Sequence, residues 1–153
     1  MRHIQRVLML TAVVTAACGG STSAPTQPSG NAPEISPANL AATVTQTPTE
    51  NVYTVTAAAR EHGGQSSAIL RTVVLQFFRG PDSIAQVTIE DAWPTNRIAA
   101  GATVASRPVS VRDAGTARPL ADRVSVTVSW VGDRSTTTGS FITSVDVTQV
   151  ASP

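Results

Sequence analysis

Apolar and polar residues alternate most regularly in residues 123–131, with the sequence RVSVTVSWV. Val124, Val126, Val128 and Trp130 occupy every second position, and Ser and Thr lie between them. Because successive side chains of a strand point to opposite faces, this period of two predicts a half-buried strand with four apolar side chains on its core face.

Shorter or less regular runs with the same character occur along most of the chain. They cover residues 41–47, 51–60, 69–79, 83–89 and 140–150, with short pieces around residues 98, 104 and 109–111. Turn-forming residues separate them, as in Pro48-Thr49-Glu50, Gly80-Pro81-Asp82 and the glycines at 132 and 139. The spacing predicts an all-β domain, a single antiparallel β-sandwich of about seven strands, in which the last two long runs form a hairpin.

Residues 68–79 fit two kinds of element. Ile69, Val73 and Phe77 recur at helical spacing, but the same residues also suit a strand that is buried on both faces. We favour the strand, because β-branched and aromatic residues dominate and no helix-capping pattern precedes the run.

The composition after residue 17 supports a β-rich domain and excludes one class of partner. It contains 16 Val but only 4 Leu, and branched side chains pack well on a pleated sheet. The full chain has 11 Arg, no Lys and 10 acidic residues. Loss of Arg2 and Arg6 would leave 9 Arg against 10 acidic residues, a net charge of −1, with no basic stripe for nucleic acid.

Residues 19–37 read as a spacer. Ser, Thr, Gly, Pro and Ala dominate GGSTSAPTQPSGNAPEISP, and such a segment cannot bury enough apolar surface to offset the entropy lost on ordering. Four prolines favour extended conformations. We therefore expect residues 18–37 to be a disordered tether and residues 38–153 to be the folded domain.

The first 17 residues have the layout of an export signal. Arg2, His3 and Arg6 give a positive start, residues 7–17 form an apolar run, and small residues lead into Cys18. The run is shorter than the roughly 18 residues that a transmembrane helix needs. We expect residues 1–17 to be removed on export.

Thr15-Ala16-Ala17-Cys18 resembles the lipobox of bacterial lipoproteins, with Thr15 where that family usually has Leu or another aliphatic residue. The resemblance implies that Cys18 becomes a mature N-terminus carrying fatty acyl chains such as palmitate, which anchor the protein to a membrane of the cell envelope. Gly19 implies the outer rather than the inner membrane of a Gram-negative cell. The alternatives are cleavage after Ala17 that leaves a free thiol, and a buried cysteine.

The succession of Val- and Thr-rich runs behind such a tether resembles the immunoglobulin-like and fibronectin-like domains of bacterial envelope proteins. The likeness is one of pattern over residues 38–151. The cysteine pair of antibody domains is absent, and Tyr53 lies in an early strand, where no tyrosine corner is expected.

Residues 90–94 contain the strongest candidate binding group. Glu90 and Asp91 stand next to Trp93, and an aromatic platform beside carboxylates is typical of sugar sites. If they continue a strand, the two carboxylates point to opposite faces and do not form a facing acid and base. The structural alternative is that Asp91 and Pro94 form a loop while Trp93 caps one end of the core.

Other candidate residues favour structural roles. His62 is the one histidine left after residues 1–17, and no Gly-x-Ser-x-Gly motif accompanies it, so a serine-hydrolase triad has no support. The alternation assigns Trp130 to the core, and Asp133 reads as a turn residue, because no calcium- or zinc-binding pattern is present. We expect neither a metal nor a cofactor.

These observations leave two function hypotheses. The first is a non-enzymatic, lipid-anchored envelope protein whose sandwich is a structural module or binds an unknown protein or glycan through its loops. The alternative is a carbohydrate-binding or accessory domain of a glycan-processing system that uses Trp93, Glu90 and Asp91. Fold alone does not decide between them.

Overall fold

The computed structural model describes residues 32–63, 66–114 and 120–151. These residues form nine strands and no helix, which confirms the predicted all-β class. The strands are β1 (Ile35–Gln46), β2 (Glu50–Glu61), β3 (Ala68–Arg79), β4 (Asp82–Ile89), β5 (Arg97–Ile98), β6 (Thr103–Ala105), β7 (Val109–Ala114), β8 (Arg123–Gly132) and β9 (Thr138–Val150). The predicted export signal, Cys18 and most of the predicted tether lie outside the described residues.

The nine strands belong to one mixed sheet with the order β4-β3-β8-β9-β1-β2-β6, in which β5 also pairs with β3 and β7 with β2. This corrects the sequence prediction in two respects. The strand count exceeds seven, because the pieces around residues 98 and 104 are paired strands. The pairing is not wholly antiparallel, because residues 42–45 of β1 run parallel to residues 147–150 of β9. Alternation reports which side chains are buried and says nothing of the direction of the neighbouring strand.

The sheet bends around a shared core. The rings of Tyr53 on β2 and Phe77 on β3 lie 5.0 Å apart between centroids, although β8, β9 and β1 separate their strands in the sheet. In a flat sheet four strand spacings would put them ~19 Å apart. β9 makes the bend, because residues 138–146 pair with β8 and residues 147–150 pair with β1.

The alternation in residues 123–131 produces the core face of β8. Val124, Val126 and Val128 are all 0% exposed, as the period of two predicts. Trp130 is half-buried at the end of the same face, packed against the core. Its ring lies over Gly139 on β9, where an added Cβ would come within 2.4 Å of the indole. Gly139 therefore makes room for the indole.

Residues 68–79 form strand β3, so the prediction of a strand rather than a helix is confirmed. Leu70, Val73, Leu75 and Phe77 are buried in the core. The hairpin to β4 turns through Gly80-Pro81, and Gly80 has a φ of +54°. A two-residue hairpin turn of the primed classes needs a positive φ at this position, which glycine adopts without strain.

The folded chain begins earlier than residue 38. β1 starts at Ile35, whose side chain is 7% exposed in the core. The prolines of this segment led to its prediction as tether. Pro37, however, lies in β1, where the register of the β1–β2 pairing shifts between Pro37 and Asn39. A proline is tolerated at such a bulge because its missing N–H is not needed for the ladder.

The phenol of Tyr53 ties the core to the segment before β8. Its oxygen accepts a buried hydrogen bond of 3.0 Å from the backbone N–H of Ala121. Tyr53 is 4% exposed, and its ring packs on Phe77. One side chain therefore fills the core and satisfies a backbone donor there.

Tyr53→Phe is expected to lower the free energy of unfolding by about 1–3 kcal/mol, because it leaves the buried N–H of Ala121 without its acceptor while the ring stays. Urea denaturation measures the change. Thr148→Val, which removes an exposed hydroxyl from β9, is the control and should stay within about 0.5 kcal/mol of the parent chain. Equal effects of the two substitutions would contradict the role given to Tyr53.

Candidate functional site

The loop of residues 90–96, which follows β4, is held by buried anchors and by backbone hydrogen bonds. Ala92 and Trp93 are buried in the core. The carbonyl of Ala92 accepts a 2.8 Å bond from the N–H of Arg107, and the carbonyl of Asn96 accepts a 2.6 Å bond from the N–H of Leu70. The loop is therefore fixed near its start to the segment after β6 and at its end to β3.

This loop forms one wall of a cleft of about 630 Å³, the loop cleft. Glu90, Asp91 and Trp93, the residues that the sequence singles out, all line it. The remaining lining residues are Leu70, Arg71, Thr72, Pro94, Thr95, Asn96 and Arg107. The volume falls within the usual range of small-ligand sites, roughly 300–1,000 Å³.

Glu90 and Asp91 are both exposed and both line the loop cleft. The expectation that they point to opposite faces rested on a continuing strand, but β4 ends at Ile89. The alternation rule of strands therefore does not govern them. Both carboxylates remain available to one ligand.

Two arginines of the loop cleft, Arg71 and Arg107, were not identified from the sequence. Arg71 lies in β3 at a register shift between Leu70 and Val73, and such bulges commonly redirect side chains beside functional sites. Arg107 follows β6, 36 positions further along the chain. No local pattern connects the two, because only the folded sheet brings them to one cleft.

A pair of hydroxyls, one on β3 and one on β8, fixes the bulge. The Thr72 and Ser129 hydroxyl oxygens lie 2.7 Å apart, and the backbone N–H of Thr72 donates to Ser129 Oγ at 3.3 Å. Ser129 thus replaces the ladder partner that Thr72 loses at the irregularity. These bonds hold the bulge of β3, which lines the loop cleft, against β8.

Trp93 is 5% exposed and belongs to the core cluster. With so little of its surface exposed, it offers a ligand no open stacking platform in this conformation. Its Nε1 is buried and has no hydrogen-bond acceptor among the described residues. A ligand-binding role for Trp93 stays a prediction.

Asp133 holds the turn after β8 to two other segments. Its Oδ2 accepts hydrogen bonds of 2.8 Å from the Ser67 hydroxyl and from Nε of Arg97. Its backbone N–H donates to the carbonyl of Ser67 at 3.0 Å. The Ser67 hydrogen bond, and after it the bond from Arg97, hold the pKa of Asp133 below its ordinary value of 3.8.

Asp133→Asn is expected to lower the urea midpoint at neutral pH. The difference from the parent chain should become smaller as the pH falls. The folded-state pKa is depressed, so the ionised carboxylate stabilises the fold above pH 3.8, and the contribution is lost as the pH falls through the folded pKa. The effect is small because Arg97 is exposed, so solvent screens the pair. Denaturation series at several pH values measure it, and a difference between the two chains that persists unchanged in acid would contradict it.

Glu61 is a buried carboxylate at the end of β2, 0% exposed. Its Oε1 accepts a 3.3 Å hydrogen bond from the N–H of Glu34, and its Oε2 accepts a 2.6 Å bond from the N–H of Gly101. Gly101 has a φ of +71°. The carboxylate therefore joins the start of β1 and the loop before β6 to the end of β2.

His62 is exposed and its Nε2 lies within hydrogen-bond distance of the Ser36 hydroxyl. Across residues 32–63, 66–114 and 120–151, no group of three or more His, Cys, Asp or Glu side chains could hold a metal ion. The same residues include no helix long and apolar enough to span a membrane.

No family model, no curated protein and no solved structure matches the chain. Its function is therefore inferred from its own residues.

Proposed function

We propose that the protein is a lipid-anchored envelope protein whose β domain is a non-catalytic binding module that takes its partner in the loop cleft. The anchor is Cys18, for which the export-signal layout and the lipobox-like motif are the support. An immunoglobulin-like arrangement belongs to the same proposal, and the bending of the sheet over a single core supports it. An outer-membrane location follows from Gly19.

The loop cleft is the observation that carries the binding role. Exposed charged and polar side chains from β3, the loop after β4 and the segment after β6 converge on one concavity. Buried anchors and backbone hydrogen bonds hold its walls. Walls whose backbone is already fixed reduce the ordering that binding costs.

The charges in the loop cleft favour an uncharged, hydroxyl-rich ligand. Arg71 and Arg107 contribute two positive charges, and Glu90 and Asp91 two negative charges, so the lining is formally neutral. Sugar hydroxyls both donate and accept hydrogen bonds, and they can therefore pair with guanidinium and carboxylate groups together. A saccharide is the ligand class that we favour, and an uncharged stretch of a protein partner is the second candidate.

Affinity electrophoresis through gels containing neutral and cell-wall polysaccharides tests this proposal. The probe protein is the soluble chain, which is residues 18–153 with Cys18→Ser. We expect at least one polysaccharide to retard it, and we expect Arg71→Gln and Glu90→Gln to weaken retardation roughly tenfold or more, because each removes a charge-assisted hydrogen bond. Incubation of the chain with the polysaccharide that retards it should release no soluble sugar.

Arg79→Gln is the matched control, because Arg79 is an exposed arginine at the opposite end of β3. It should leave retardation unchanged. A chain that no polysaccharide retards would overturn the saccharide assignment, and retardation that is equally insensitive to all three substitutions would overturn the loop cleft as the site. Release of sugar would overturn the non-catalytic role.

A further inference from the structure

β4 is one end of the sheet, and in the described part of the chain it pairs only with β3. In an antiparallel pair, alternate residues direct their backbone N–H and C=O groups away from the partner strand. A row of β4 donors and acceptors therefore faces outward, ready to pair with another strand.

Residues 85–89 of the β4 edge lack the charges and prolines by which proteins usually prevent such pairing, and a bulge interrupts the β3–β4 ladder only at Ile84. Residues 83–89, with the sequence SIAQVTI, contain no charged residue and no proline. Ile84 is 42% exposed. The edge strand β7 at the other end of the sheet differs, because it carries Asp113 and also Arg112, whose guanidinium bonds Glu50 at 2.6 Å. Charged side chains of that kind discourage the addition of a strand.

An apolar groove of about 410 Å³ opens beside the core-facing side of β4. Ile84, Ala85 and Val87 form the β4 wall, Tyr53 and Phe77 lie at its floor, and β7 forms the far wall. A strand added to β4 would direct every second side chain toward this groove. The added strand would therefore need apolar residues at alternate positions.

We propose that β4 pairs antiparallel with β4 of a second copy of this chain, with Val87 on the two-fold axis. In that register Val87 faces its own counterpart and Ala85 faces Ile89, so apolar side chains meet on the core-facing side. Gln86 faces Thr88 on the outer side, where both are exposed. The strand is thus complementary to itself on both faces, as an isologous interface requires.

Charge disfavours the register with the axis on Gln86, and the end of β4 at Ile89 leaves fewer residues to pair with the axis on Thr88. With the axis on Gln86, Asp82 of each copy would face Glu90 of the other, and like charges directly opposite each other are destabilising. With the axis on Val87, the pairing covers residues 85–89, and Asp82, the Ile84 bulge and Glu90 all lie outside it. No like charges then meet between residues 83 and 89.

Disulfide trapping tests both the pairing and its register. The Cys18→Ser soluble chain has no other cysteine, so Gln86→Cys and Thr88→Cys each introduce one exposed thiol into it. Under copper-catalysed air oxidation, an equimolar mixture of the two variants should form covalent dimers several-fold faster than either variant alone. The dimers should contain one residue 86 thiol joined to one residue 88 thiol, as mass spectrometry of the linked peptides would show.

Ile142→Cys is the control, because Ile142 is 69% exposed on β9, an interior strand of the sheet that cannot add a partner. Its thiol reports random collisions. A mixture that is trapped no faster than the Ile142→Cys chain, or no faster than Gln86→Cys alone, would overturn the proposal. Trapping no faster than that of the Ile142→Cys chain is also expected if the β4 edge binds a strand of a different protein. Neither result bears on the loop cleft, which lies on other residues.

Discussion

Trp93→Ala is expected to lower the free energy of unfolding by about 3–5 kcal/mol, the usual cost of truncating a buried aromatic side chain. Trp93 is 5% exposed and fixes the middle of the loop that forms one wall of the loop cleft. Its removal leaves a cavity and frees the loop, so saccharide retardation should be lost together with stability. Urea denaturation measures the loss of stability.

Two further variants separate packing from chemistry at Trp93. Trp93→Phe keeps most of the buried ring and removes an N–H that has no acceptor among the described residues, so it should cost much less than Trp93→Ala. Trp130→Ala removes the same kind of side chain from a half-buried position and should also cost less. If Trp93→Ala were no more destabilising than Trp130→Ala, Trp93 would not be a core residue.

Glu61→Ala is expected to lower the free energy of unfolding by about 2–4 kcal/mol. The N–H groups of Glu34 and Gly101 would lose a charged acceptor, and a hydrogen bond to a charged group contributes about 1.5–3 kcal/mol. Urea denaturation at neutral pH gives the value. Glu61→Gln, which keeps the volume and one acceptor oxygen, should fall between the parent chain and Glu61→Ala.

Glu50→Ala is the control for a carboxylate in a solvent-exposed pair. Glu50 binds Arg112, whose side chain is 68% exposed, and such pairs contribute less than about 1 kcal/mol. If Glu61→Ala lowered the free energy of unfolding no more than Glu50→Ala does, the claim that Glu61 joins three segments of the fold would be contradicted.

Strand content was predictable because it depends on local chemistry. Val124, Val126 and Val128 are buried, as the alternation predicts. Gly80-Pro81 correctly predicts the position of the β3–β4 turn. The direction of strand pairing was not predictable, because the parallel pairing of β1 with β9 joins residues about 100 positions apart. The start of β1 was missed because Pro37 lies at a bulge and reads locally as tether.

The candidate site was predictable only in part. Glu90, Asp91 and Trp93 are close in sequence, so their proximity needed no knowledge of the fold. Arg71 and Arg107 enter the loop cleft through a register shift in β3 and through the segment after β6. The burial of Glu61 was also not evident, because a carboxylate at the end of a strand usually faces solvent.

The proposed envelope location depends on the proposed acylation of Cys18. The direct measurement is the intact mass of the protein extracted from the membranes of cells that express the full chain, together with the mass of its N-terminal peptide. We predict a chain that begins at Cys18 and carries the added mass of a diacylglyceryl group. A chain that keeps residues 1–17, or one that carries an unmodified Cys18 thiol, would contradict the account.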